Sequence, residues 1–140
     1  MKSVKVIFIA AVTVVLLFCL SSGASAQTQT QTITLRPGFN FIGFTNTPST
    51  ATPAQFKQLN ATAIEDIYLF SAAAGSFLSM SEGSLTSLAA GKGYIVKSIA
   101  SANVTLNSSG AALTTIGNIT LKAGFNLVGF SKAPATAVKF

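Results

Sequence analysis

The chain has 140 residues with 49% apolar residues, only 9% charged ones, and a net charge of +6. It contains no histidine and a single cysteine, Cys19, which excludes ordinary zinc sites and any Ser–His or Cys–His nucleophile pair. Three acids, Glu65, Asp66 and Glu82, face nine basic residues. The lysines are scattered, so no basic patch of the kind nucleic acid requires is formed.

Residues 1–26 read as a secretory signal peptide. Lys2 and Lys5 give a charged start, Val6 to Leu20 is an apolar run, and Ala24-Ser25-Ala26 offers an A-x-A cleavage site before Gln27. A retained membrane anchor is the alternative, but the run is shorter than the ~20 residues a span needs. Cys19 lies inside this segment, with Phe18 before it where a lipoprotein cysteine would follow a small residue. The chain after Ala26 then has no cysteine, and its stability must come from packing and β-ladders. With Arg36 and six lysines against the three acids, it carries +4 and no membrane partner is expected after cleavage.

Residues 27–32 form a polar leader. From Gln27 to Leu35 the sequence QTQTQTITL alternates strictly, with Thr28, Thr30, Thr32 and Thr34 on one face and Gln, Ile33 and Leu35 on the other. Such a stretch is either a disordered leader or an extended strand that adds to a sheet edge, its own or a neighbour's.

Residues 33–44, ITLRPGFNFIGF, then introduce a motif that recurs at 119–130 as ITLKAGFNLVGF, with eight of twelve positions identical. Each copy predicts a strand, a turn at Pro37-Gly38 or Ala123-Gly124, and a second strand, as a β-hairpin or a tight β-corner. Glycine persists at the turn while proline does not, as a turn needing positive φ requires. Gly43 and Gly129 sit inside the second strand and mark a bulge or a close backbone approach.

Further along, Thr52-Pro53 signals a helix start, with Phe56 and Leu59 on one face of a short helix near residues 53–59. Residues 63–71 and 76–80 read as paired strands around a turn at 72–75. Leu85 and Leu88 follow a second turn, and Gly91-Lys92-Gly93 leads into a strand at 94–97. Short strands at 104–106 and 113–116 precede the second motif copy. This pattern predicts an all-β fold, a small β-sandwich or barrel of short antiparallel strands with one short helix. The β-domain is bounded at 33–118, and residues 119–140 either close it or contact a neighbouring subunit.

Gly38-Phe39-Asn40 to Gly43, followed by Gly91-Lys92-Gly93-Tyr94-Ile95-Val96-Lys97, resembles a module recurrent in secreted bacterial and archaeal surface proteins. That module reads G-W-N-L-V-G and then G-K-G-Y-W-V-K. The resemblance spans residues 33–106 and restarts at 119, with Phe39, Phe125 and Ile95 standing where the family favours Trp. It implies an extracellular β-module and carries over no active site.

The residues offer little chemistry. Gly91-Lys92-Gly93 lacks P-loop spacing, no S-x-x-K pattern is present, and the three acids read as a solvated strand edge and a turn residue rather than a catalytic pair. No catalytic, cofactor-binding or metal-ligating residue is assigned, and no enzyme is expected. Asn60, Asn103, Asn107 and Asn118 each begin an N-glycosylation pattern. Tyr68, Phe70, Phe77 and Tyr94 are candidates for a sugar-stacking platform, though alternation along strands favours the core for all four.

Three functional expectations follow. The first is a secreted subunit of an extracellular filament or surface layer whose partners are copies of itself, joined head-to-tail by β-strand complementation. Thr28, Thr30, Thr32, Ile33 and Leu35 would lie on the donor, and Ile119, Leu121, Phe125 and Val128 on the acceptor. The second is a monomeric carbohydrate-binding or adhesion module, which a cluster of exposed aromatics on one face would favour. The third is a fragment of a longer multi-module surface protein, since the second copy opens a unit that residues 131–140 do not complete.

Overall fold

A computed structural model describes residues 27–113, 115 and 118–129. The signal-peptide reading of residues 1–26, Cys19 included, and the last part of the 119–140 segment lie outside the described residues. So do residues 114 and 116 of the strand expected at 113–116, while Leu113 and Thr115 are not in a strand.

The fold is all-β, with seven strands in two antiparallel sheets and one short helical segment. In chain order these are β1 (Thr28–Leu35), β2 (Gly38–Gly43), β3 (Asn46–Pro48), α1 (Pro53–Lys57, tightening into a 3₁₀ turn over Gln58–Asn60), β4 (Ile64–Ser71), β5 (Ser76–Ser79), β6 (Gly93–Ser98) and β7 (Val104–Ala112). One sheet has the order β1-β7-β3 and the other β2-β6-β4-β5. Both contribute side chains to one core: Ile33, Leu35 and Leu106 from the first, Ile64, Ile67, Tyr94 and Val96 from the second. Phe44, on the link between sheets, packs edge-on against Phe56 of α1 and Tyr94, with ring centroids 5.4 and 5.6 Å apart. Such edge-to-face pairs add to the burial of the rings themselves.

β1 realises the alternation of its sequence. It pairs with β7 along its whole length, Thr28 opposite Ala111 through Leu35 opposite Val104. Ile33 and Leu35 enter the core while all four threonines stay exposed. The threonines meet an equally polar row on β7, with Thr30 Oγ1 2.9 Å from Ser109 Oγ and Thr32 Oγ1 donating to Asn107 Oδ1 at 3.2 Å. Between them, Gln31 turns inward and spans the crossing to the other sheet. Its amide donates to the Gly43 carbonyl at 2.8 Å and accepts from the Thr45 N–H at 3.0 Å.

The helix begins as its cap residue dictates. Thr52 Oγ1 accepts from the Gln55 N–H and Gln55 Oε1 accepts from the Thr52 N–H, both at 3.2 Å, with Pro53 in the first turn. Phe56 is fully buried, but Leu59 stays 38% exposed rather than sharing its burial, because the backbone has tightened from α to 3₁₀ by Gln58.

The expected break between strands at 104–106 and 113–116 is not present. β7 is one nine-residue strand through Asn-Ser-Ser-Gly, a stretch with turn-like composition. Ladder partners on both sides hold it extended, β1 along one edge and β3 along the other. Gly110 is required there by space alone: a Cβ would strike the Thr47 carbonyl of β3.

Candidate functional site

The repeated motif is a corner, not a hairpin. Its first arm, β1, belongs to the three-stranded sheet, and its second arm, β2, pairs with β6 in the other. The chain changes sheets over Arg36-Pro37-Gly38, with Gly38 at φ +88°. Asn40 locks the bend. Its Oδ1 accepts from the Arg36 N–H at 2.8 Å, and its Nδ2 donates to the carbonyls of Arg36 at 2.8 Å and Gly38 at 3.1 Å. This asparagine replaces the hydrogen bonds the backbone gives up when it leaves one ladder before joining the next.

The second copy builds the same bend. Gly124 lies at φ +90°, Asn126 Oδ1 accepts from the Lys122 N–H at 2.9 Å, and Nδ2 donates to the carbonyls of Lys122 at 2.7 Å and Gly124 at 3.0 Å. The local conformation is thus encoded in the G-F-N triplet and does not depend on a sheet around it.

Burial is the reverse. Ile33 and Leu35 are 6% and 0% exposed, whereas their counterparts Ile119 and Leu121 are 46% and 63% exposed. Val128 is exposed where Ile42 is half-buried, whereas Phe125 and Phe39 are both exposed and Leu127 is half-buried where Phe41 is exposed. The first arm of the second corner has no ladder partner among the described residues.

Its second arm is anchored at one point. Val128 forms a single antiparallel bridge with Lys92, framed by long contacts from the Gly93 N–H to the Leu127 carbonyl and from the Gly129 N–H to the Gly91 carbonyl, both 3.4 Å. Glycine makes this approach possible. A Cβ on Gly129 would strike the Lys92 carbonyl and lie 3.2 Å from Gly43 Cα, and one on Gly93 would lie 2.9 Å from the Leu127 side chain. An open cavity of about 580 Å³ separates the corner from the β4–β5 hairpin, with Leu69, Phe70, Leu78, Ile119, Leu121 and Val128 among its walls.

The residues expected to act in assembly therefore divide. Thr28, Thr30 and Thr32 lie on an outer face, Ile33 and Leu35 are in the core, and the whole donor stretch is already paired with β7 of its own chain. Being first in the order β1-β7-β3, β1 has one edge without a strand partner among the described residues. Ile119, Leu121, Phe125 and Val128 are all exposed, and their single bridge among the described residues joins Val128 to Lys92, just ahead of β6. Of the sequons, Asn103, Asn107 and Asn118 are exposed, while Asn60 is half-buried with its Oδ1 accepting from Thr62 Oγ1 and the Ala63 N–H.

Two expectations about side chains are corrected. Asp66 is not solvated: it is 5% exposed and fixes the loop after β5. Its Oδ2 accepts from Ser81 Oγ at 2.6 Å, and its Oδ1 from the amides of Ile67 at 2.8 Å and Ser81 at 3.1 Å. A bulge in β4 between Ile64 and Asp66 turns it away from the regular alternation. Glu65 next to it is exposed and pairs with Lys97 at 2.9 Å.

The aromatic residues also separate. Tyr94 is core, its hydroxyl accepting from the Ala89 N–H at 2.8 Å. Phe77, with Tyr68 and Phe70 half-buried beside it, lies on the outer face of the four-stranded sheet. Phe39 and Phe41 join them there, two residues not expected on that face. Apolar residues on both faces of β2 leave no parity cue in the sequence.

Among the described residues, no three of His, Cys, Asp or Glu gather where a metal ion could bind, and no helix is long and apolar enough to cross a membrane. No family model, curated protein or solved structure matches the chain.

Proposed function

We propose that this chain is an exported structural subunit that assembles with copies of itself at the cell surface through its second corner. One observation carries the reading: the same asparagine-locked corner occurs twice, and Ile33 and Leu35, which the first copy buries, have exposed counterparts in Ile119 and Leu121. A corner whose first arm keeps its bend with no ladder partner among the described residues is preorganised for a strand supplied from elsewhere, which lowers the ordering entropy of that contact. The outer edge of β1 on a neighbouring copy is the matching donor. Pairing of Ile119–Leu121 along it would extend the Ile33/Leu35 row without taking β1 from β7. Corner and β1 are different surfaces, so the contact is heterologous and repeats into an open fibre. Export is supported by the charged start, apolar run and A-x-A site of residues 1–26, and a surface location by the G-F-N and G-K-G-Y resemblance.

Negative-stain microscopy and light scattering on the purified chain test this, beside Leu121→Lys and a variant lacking residues 27–32. Filaments from the parent and their loss in both variants, at unchanged unfolding temperature for Leu121→Lys, are expected. A parent that stays monodisperse and monomeric at every concentration would sink the proposal.

A further inference from the structure

The outer face of the sheet β2-β6-β4-β5 carries a second contiguous apolar surface. Register places Phe41 opposite Ile95 and Ile95 opposite Tyr68, so these three form one row across the sheet. Phe39 stands one pleat further along β2, and Phe77 of β5 packs edge-on against Phe70 of β4 at 5.2 Å. Phe39, Phe41 and Phe77 are 65%, 73% and 52% exposed. Together with Tyr68 and Ile95 they line an open hollow of about 450 Å³. Beside it, Phe41, Phe77 and Ile95 share a smaller hollow with Phe125 of the second corner.

We infer that this face is a two-fold interface between two copies of the chain. Three features select a second copy as the occupant. The patch holds both a projecting ring, Phe41, and a hollow beside it, so it is complementary to itself, as an isologous contact requires. Its charge is suited to self-contact: the chain carries +6, but the four strands of this sheet bear only Glu65, Asp66 and Lys97. Lys97 is paired with Glu65 and Asp66 is bound under Ser81, so two such faces meet without the repulsion of the rest of the surface. The size also fits. The exposed parts of Phe39, Phe41 and Phe77 amount to roughly 400 Å², taking ~200 Å² for each aromatic side chain. That is about half of the ~800 Å² each partner buries in a standard interface, before Ile95, Tyr68 and Phe125 are counted.

The contact goes beyond the strand completion proposed above and does not require it, because Phe39, Phe41 and Phe77 belong to neither β1 nor the second corner.

Sedimentation velocity on the full chain carrying Leu121→Lys, which blocks fibre growth, reads the two-fold contact alone. A dimer is expected, with its dissociation constant raised about thirtyfold or more by Phe41→Lys, the change expected on removing a central aromatic anchor. Thr105→Lys, on the opposite outer face, should leave it unchanged. A Leu121→Lys chain that is monomeric throughout, or a dimer indifferent to Phe41→Lys, would overturn the inference. Retention of that monomer on an insoluble polysaccharide, abolished by Phe41→Lys, would overturn it in favour of a glycan site. Because fibre formation by the parent is scored separately, failure of the two-fold contact and failure of strand completion remain distinguishable.

Discussion

Asn126 holds the Lys122 peptide from both sides, accepting from its N–H at 2.9 Å and donating to its carbonyl at 2.7 Å. Asn40 does the same to Arg36. The two clamps are equivalent in geometry and differ in what depends on them. Asn40→Ala should lower the unfolding free energy by about 1–3 kcal/mol, because β1 and β2 feed separate ladders from that bend. Asn126→Ala should change it by less than about 0.5 kcal/mol, as for a surface site, and should instead weaken assembly. Urea melts of the two variants check this, and equal losses would mean that the second corner supports the core as fully as the first.

Gly110 and Gly129 are both fixed by backbone approach, not by φ. Gly110→Ala drives a methyl group into the Thr47 peptide and must lift β3 from β7, a change in the range of about 1–3 kcal/mol for overpacking. Gly129→Ala should release the bridge between Val128 and Lys92 and leave the core intact. Thermal melts should therefore separate the variants, and limited proteolysis within 118–129 should accelerate only for Gly129→Ala.

Asp66 ties stability to pH. Burial alone would raise its pKa, but hydrogen bonds from the Ser81 hydroxyl and from the Ile67 and Ser81 amides together outweigh burial and hold the carboxyl below its ordinary value. A folded-state pKa below the unfolded one, ~3.9, contributes stability that is fully present above that value. The contribution is lost as pH falls through the folded pKa. Acid titration of the melting temperature should show this loss below about pH 4, and Asp66→Asn should be less stable at neutral pH with a shallower acid limb.

Tyr94→Phe removes a single buried oxygen and leaves the Ala89 N–H without its acceptor. A loss of about 1–2 kcal/mol is expected. Tyr94→Leu should lose more, because the edge contact with Phe44 goes as well. Chemical denaturation of both variants ranks them.

Ser108 gives the opposite expectation. Its Oγ is buried without a hydrogen-bond partner among the described residues, although its carbonyl accepts from Asn46 Nδ2 at 3.1 Å. Ser108→Ala keeps the backbone contact and removes an unpaired hydroxyl, so denaturation should show it neutral or stabilising by up to about 1 kcal/mol.

Much of this fold is written locally. The alternation of residues 28–35, the Thr52 cap and the glycine of the G-F-N bend each act within a few residues, and each is found where the sequence places it. What escapes the sequence is set by distant partners. Asn107-Ser108-Ser109-Gly110 has turn composition and becomes strand because β1 and β3 flank it. Asp66 reads as an exposed acid until the bulge in β4 and the return of Ser81 are known. The motif itself is visible by repetition, but its two fates are not, since ITL buries or exposes its side chains according to whether a strand like β7 lies beside it. For β2, alternation separates two faces without saying which is inside, so the exposure of Phe39 and Phe41 could not be foreseen.

The threonines of β1, with Thr105, Asn107 and Ser109 of β7, coat one broad side of the molecule in hydroxyl and amide groups, while the other broad side is ringed with phenylalanine. A body so divided has a preferred way up. At any boundary between water and something less polar, the threonine side faces the water, and the orientation of every copy in a film or sheet is set before any two of them touch.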